Sequence, residues 1–205
     1  MKGLQTTAFL LTLLYFGSQV QAQDQTATKG KFTIAAGVGF GIHGVNSNNP
    51  KDNDNGALTG SLRGAVDYGF SKRFALGLQL FRNGYSTNKD SNDAATNSGI
   101  GAYINYNFAI RPKTVWFFTG GVGYSGFDYT RNGKVTAKGA YGSLGLGFRR
   151  FFGDYVGIFM QAEGTTYSFG NFEYQDGTAL KTYDGKDYHI NINGVELKTG
   201  ILFRL

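Results

Sequence analysis

The chain has 205 residues, 16% aromatic and only 17% charged, a composition that fits one folded domain and excludes a disordered chain. Cysteine is absent, which excludes disulfides, thiolate metal sites and a cysteine nucleophile. The formal net charge of +6 becomes +5 when Lys2 is set aside with residues 1–22; it is spread without a Lys/Arg run, so no nucleic-acid partner is expected.

Residues 1–22 read as a secretory signal peptide. Lys2 supplies the positive start, Phe9–Phe16 an apolar core too short to span a bilayer as a helix, and Val20-Gln21-Ala22 small residues before a cut at Gln23. Residues 23–205 are then one domain. No later apolar run approaches the length of a spanning helix, so insertion into a membrane must be by strands.

The rest of the chain alternates with a period of two. Phe32, Ile34, Ala36, Val38, Phe40 and Ile42 mark the first strand, and an Asn/Asp-rich loop over 44–57 follows. Leu58–Phe70 is the second strand, Ser71-Lys72-Arg73 a tight turn, and Phe74–Leu80 the third strand. After a polar loop over 86–97, Ile100–Phe108 is the fourth, with a short turn at Pro112. Trp116–Tyr124 is the fifth, Asn132-Gly133 centres a hairpin loop, and Ala140–Phe148 is the sixth. A turn over 150–154 leads to Val156–Ala162, the loop over 170–191 is the longest, and Val195–Leu205 is the eighth strand. Both prolines, Pro50 and Pro112, fall in connections, as long strands require. Short turns alternate with long loops, the asymmetry of periplasmic and extracellular connections. The expected fold is all-β, a closed eight-stranded antiparallel up-and-down transmembrane β-barrel.

Period two alone does not say which face meets lipid. Three features put the apolar face outside: the small residues of the opposite parity, the aromatic residues at strand ends, and the signal of the C-terminal strand described below. The opposite parity carries Gly37, Gly39, Gly41, Gly77, Gly145 and Gly147, a poor solvated surface but a good filling for a narrow barrel. Aromatic residues collect at strand ends. Tyr68, Phe70, Phe74, Tyr106, Phe108, Trp116 and Phe148, with Phe203, make a girdle on the short-turn side; Tyr85, Tyr124, Phe127, Tyr167 and Phe169 suggest a second girdle on the loop side. The central apolar faces also carry no charge, where a lipid-facing Arg or Lys costs about 2–4 kcal/mol. The charged residues of the inward parity are Arg63, Asp67, Arg149, Glu163, Glu196, Lys198 and Arg204. They are expected to form a polar network in the lumen. A salt-bridged plug is favoured over a conduit, because buried charges must be paired and a small barrel is filled by side chains.

The last strand, with Lys198, Gly200, Phe203 and Leu205 at its end, resembles the C-terminal insertion signal of bacterial outer-membrane barrels. Together with Arg63–Phe70 and Arg73–Leu78, a Gly-aromatic ending, a basic turn and an apolar-Gly strand, it makes the chain similar to the small outer-membrane β-barrel family. That family includes the OmpA transmembrane domain and OmpX, and its members are called porin-family or opacity-like proteins. The resemblance implies a place in the bacterial outer membrane after signal-directed export. The partners it implies are outer-membrane lipid and lipopolysaccharide, the barrel-assembly machinery through the C-terminal strand, and an extracellular ligand at the long loops. It brings no active-site motif, and the chain ends at the eighth strand, so cell-wall tethering is not implied.

No catalytic, cofactor or metal site is expected. His43 and His189 are read as solvated loop histidines; no serine pairs locally with His43, as the family's deacylase would need. Asp52-Asn53-Asp54-Asn55-Gly56 has the alternating oxygens of a calcium loop but lacks the bidentate Glu, and reads as a loop tip. Phe172, Tyr174, Tyr183 and Tyr188 are candidate contact residues in the last loop. The reading is a non-enzymatic outer-membrane protein with a structural or surface-interaction role, porin-like passage of small solutes being a lesser expectation. Two other readings stay open: a soluble secreted or periplasmic barrel holding an apolar ligand, and a lipid A-modifying enzyme.

Overall fold

The structure, a computed structural model, describes residues 28–49, 55–86, 94–130 and 134–205. Residues 1–22, expected to be a signal peptide, and most of the Asp52–Gly56 loop lie outside the described residues. Eight strands follow in order: β1 (Phe32–Ser47), β2 (Asn55–Gly69), β3 (Phe74–Ser86), β4 (Ala94–Arg111), β5 (Thr114–Thr130), β6 (Lys134–Phe151), β7 (Val156–Tyr174) and β8 (Ile190–Arg204). Each pairs antiparallel with the next, and β8 closes on β1. Partners traced from Ile34 through Val66, Leu78, Ala102, Val122, Gly142 and Thr166 end at Asn193, but the direct β8 partner of Ile34 is Phe203. This offset of ten positions is the stagger of a closed barrel whose strands tilt by roughly 35–45°. No edge is left, so backbone groups are satisfied within lipid.

Side chains alternate in and out along every strand. Phe40, Val122 and Leu144 are 68%, 68% and 75% exposed, whereas Asp67, Glu163 and Glu196 on the other parity are buried. The apolar face is therefore outside and the lumen is filled, which removes the soluble ligand-carrier reading.

The strands are longer than the apolar alternation indicates, at 13 to 19 residues. The added residues lie on the loop side, where the polarity of the two faces exchanges. On β8, Ile201, Leu197 and Val195 point outward lower down, but Asn193 and Asn191 point outward above them, with Ile192 and Ile190 buried inside. On β7 the outward series ends in Thr166 and Ser168, while Tyr167 and Phe169 are buried. The upper third of the barrel is thus built like a water-soluble one. This corrects the loop-side girdle: Tyr85, Phe127, Tyr167 and Phe169 all face inward, and only Tyr124 faces out. It also shortens the loops; the last begins after Tyr174 and ends before Ile190.

The inward glycines seat aromatic rings. A Cβ on Gly77 would lie 2.5 Å from the Tyr103 ring, and one on Gly200 would lie 2.1 Å from the Ala36 carbonyl oxygen and 2.7 Å from the Phe159 ring. Bulky and absent side chains alternate across the narrow interior, the usual way such a lumen reaches interior packing density.

Candidate functional site: the lumen and its two ends

The interior is stacked in layers. Nearest the short turns, Val115, Phe151, Phe159 and Leu202 form an apolar floor. Thr28 is buried at the same end of the barrel, accepting a hydrogen bond from Asn107 Nδ2 at 3.3 Å, and its carbonyl lies so close to Gly69 that a Cβ there would be 1.9 Å away. Arg204 sits beside this floor, over the Phe151 ring at 4.2 Å, and donates from Nε to the Asp154 carbonyl at 2.8 Å.

Above the floor, Arg149 grips Asp67 with both guanidinium nitrogens, Nη1 to Oδ1 at 3.2 Å and Nη2 to Oδ2 at 2.6 Å. Tyr103 donates its hydroxyl to Asp67 Oδ2 at 3.0 Å, and its ring lies 5.1 Å from the guanidinium carbon of Arg63. A second cluster follows. Lys198 Nζ bonds Glu163 and lies 3.0 Å from Glu196 Oε2; Arg63 Nη1 lies 3.9 Å from Glu163 and donates to Gln161 Oε1 at 3.3 Å. Arg63 and Asp67 therefore belong to different clusters, bridged by the Tyr103 side chain. The two layers hold Arg63, Arg149 and Lys198 against Asp67, Glu163 and Glu196, equal numbers of each sign. In a low-dielectric lumen such pairing is what makes burial of charge tolerable.

His43 completes the upper cluster and is not the solvated loop histidine expected from the sequence. The side chain is fully buried; Nδ1 lies 2.7 Å from Thr59 Oγ1, and Nε2 lies 2.9 Å from Thr165 Oγ1 and 3.4 Å from Glu196 Oε1. β1 runs on past His43 to Ser47, which keeps it on the inward parity of Gly37, Gly39 and Gly41. That parity was the signal for its position. Enclosed in the lumen, His43 does not reach the lipid face. His189 is exposed in the last loop, and its neighbour Asp187 pairs with Lys181. Among the described residues, no group of three His, Cys, Asp or Glu side chains is placed to hold a metal ion.

The layers above are polar, then aromatic. Gln79 Nε2 donates to the Tyr141 hydroxyl, which donates to Ser143, and Asn83 Nδ2 donates to Tyr167. Phe81, Tyr85, Phe127, Tyr141, Tyr167, Phe169 and Phe172 then form one cluster with Ile190 and Ile192 that fills the loop-side end of the lumen. The last loop extends this cluster as two successive hairpins. Leu180 N donates to Phe172 O at 2.7 Å, and Thr182 N to Lys186 O at 2.8 Å. Asp184 pairs with Lys186 at 2.6 Å; that ammonium and the Thr182 hydroxyl pull its carboxyl down to about 2. Asn48 ties the loop to the end of β1 by donating to Asp187 O at 2.8 Å.

On the outside, the girdle residues pair across strands near the short turns: Phe32 with Tyr68 at 4.8 Å, Phe74 with Tyr106 at 5.2 Å, Phe108 with Phe118 at 4.8 Å, and Trp116 with Phe148 at 5.2 Å. Phe70 stacks on Phe74 at 6.0 Å. Of the C-terminal residues, Phe203 and Leu205 face outward, Lys198 lies in the charge layer and Gly200 in the wall between β1 and β8.

A closed antiparallel barrel with an apolar outer belt and a charge-paired lumen defines an integral outer-membrane protein. The sequence matches the family described as the outer membrane protein beta-barrel domain over residues 8–197, and the chain belongs to that family. Among solved structures, Neisserial surface protein A is similar with a TM-score of 0.55 at 14% identity, covering 85% of this chain and 97% of that one. The outer membrane protein AlkL has a TM-score of 0.55 at 12% identity, covering 92% and 96%. OprG from Pseudomonas aeruginosa has 0.51 at 12% identity, covering 87% and 97%. At such identities the likeness shows the shared fold. A search of curated proteins found no match.

Proposed function

We propose that this protein is a non-enzymatic, non-conducting outer-membrane barrel that acts through the surface it presents outside the cell. The observation that carries this reading is the filled lumen: an apolar floor, two charge-paired layers and an aromatic cap succeed one another along it. Work at such a barrel falls to its loop end. The ordered double hairpin of the last loop presents Tyr183 at 75% exposure and Tyr174 at 39% on a fixed frame, and rigid exposed tyrosines are good contact material.

Reconstitution into a planar bilayer is expected to give no stepwise conductance; regular steps from the wild-type protein would overturn the plugged reading. For the surface role, residues 176–187 are replaced by a short turn in cells that display the protein. The barrel should keep its heat-modifiable migration in SDS while adhesion of those cells drops to the level of cells lacking it. Unchanged adhesion would refute the loop as the working part.

A further inference from the structure

Arg82 ends the apolar outward series of β3 with a charge, as Lys138 does on β6 beyond Ala140. On β3 the outward series runs Phe74, Leu76, Leu78, Leu80 and then Arg82. Its register partners are Leu62 on β2 and Ser98 on β4. On the β2 side the apolar surface climbs past it to Leu58 and Ile42, which are 64% and 67% exposed. On the β4 side it ends at Ser98 and Thr96. Arg82 therefore lies at the upper edge of the lipid belt, on the loop side, with apolar surface rising beside it. Among the described residues its side chain makes no hydrogen bond or ion pair.

Two depressions of the outer wall meet at this side chain. The lower is an open groove of about 990 Å³, walled by Val38, Leu62, Leu80 and Ile201 and floored by Ala36 and Gly64. The upper is a pit of about 320 Å³ floored by Gly60 and Gly84, with Thr96 beside it. Leu62 and Arg82 line both. A Cβ added to Gly60, Gly64 or Gly84 would meet nothing within 4 Å, so these glycines shape the outer surface and satisfy no packing need.

We infer that this paired groove and pit is a seat for one phosphorylated saccharolipid of the outer leaflet, with an acyl chain in the groove and a phosphate on Arg82. An unpaired arginine at the belt edge orients its fork toward the headgroup layer, where a phosphate accepts two parallel hydrogen bonds from it. The Ser98 and Thr96 hydroxyls are the further donors within that notch. The apolar wall below matches a chain that descends from the same molecule. A diacyl glycerophospholipid has the same elements, but the belt's loop side faces the leaflet built from lipid A, and the site commits to that lipid.

The test is native mass spectrometry of the intact barrel released from detergent, with diphosphorylated lipid A, dephosphorylated lipid A or phosphatidylglycerol added. The wild type should retain one diphosphorylated lipid A and little of the other two. Arg82→Gln should lower retention about tenfold, the effect of losing a charge-assisted hydrogen bond at a partly wet site. Gly64→Leu, which fills the groove, should lower it while leaving Arg82 in place. Both variants are checked for heat-modifiable migration, and Ala36→Leu, at the other floor residue of the groove, serves if Gly64→Leu does not fold. Equal retention by Arg82→Gln, or phosphatidylglycerol held as well as lipid A, would overturn the assignment.

Discussion

Replacing Asp67 by Asn tests whether the lumen is held as a charge-paired plug. The change keeps the shape of the side chain and removes only its charge. Asp67 and Arg149 are 3% and 8% exposed at their side chains, so water compensates neither. The guanidinium cannot shed its proton, and no other carboxylate shares its cluster. Its contact with the Phe117 ring, 5.0 Å away, offers about 0.5–2 kcal/mol of cation–π attraction already present in the wild type. The uncompensated cation should therefore cost about 3–5 kcal/mol. Removing both charges, in Asp67→Asn with Arg149→Met, should recover most of that loss, because a neutral pair of similar volume leaves no buried ion. The surface pair Asp128–Lys134, 3.7 Å apart and about half exposed, is the control: Asp128→Asn should cost about 0–1 kcal/mol. The assay is urea unfolding in detergent micelles, checked by the temperature at which the fast-migrating SDS band is lost. That temperature should drop by on the order of 10 °C for the single variant. A single variant within about 1 kcal/mol of wild type, or a double variant worse than the single, would refute the layer as a paired plug.

Three further outcomes follow from the same geometry. Gly200→Ala should weaken closure between β1 and β8 by about 1–3 kcal/mol or more, since its Cβ would lie 2.1 Å from the Ala36 carbonyl; undiminished resistance of the folded band to SDS would contradict this. Trp116 is the only tryptophan, so its emission reports the short-turn girdle alone; quenchers placed near the headgroups should outperform quenchers deep in the acyl chains, and the reverse order would misplace the belt. In the last loop the Asp184 carboxyl is held down to about 2 by Lys186 and Thr182, against an ordinary value of 3.8. A depressed carboxyl supports the folded loop above its unfolded value and loses that support as pH falls through about 2. The carboxyl carbon should titrate in NMR with a midpoint near 2, and a midpoint at 3.8 would mean the second hairpin is not formed.

Much of the architecture was legible because one physical rule, period-two alternation against lipid, ran through the middle of every strand. Val156, Ile158 and Met160 against Gly157, Phe159 and Gln161 separate the two faces of β7, and the small residues and girdle aromatics of the barrel say which of them meets the bilayer. The same rule misled at the loop end. Once a strand rises out of the bilayer its outward residues become Asn, Ser and Thr and its inward ones aromatic. A search for apolar residues on the outer parity then stops too early. That early stop makes His43 look like a loop histidine and Tyr85, Phe127, Tyr167 and Phe169 look like a girdle, although all five face inward. The inward parity of the charged residues could be read, but their grouping could not. Which carboxylate meets which cation depends on the stagger around the barrel, and that is a property of closure and not of any one strand.

The exchange of faces also bears on where function can lie. Within the bilayer, charged side chains have only the lumen, and the low dielectric there demands the equal count of opposite charges that Arg63, Arg149 and Lys198 make with Asp67, Glu163 and Glu196. A balanced set offers no net potential to draw an ion inward. Above the bilayer the outer face is wetted, so the lumen becomes a hydrophobic core, and the cluster around Phe127 and Phe169 seals it. Each choice follows from the solvent at that height, and each closes the interior a little further. What remains for recognition is the ordered loop end and the outer wall, which are the parts that hold exposed tyrosines and an unpaired arginine.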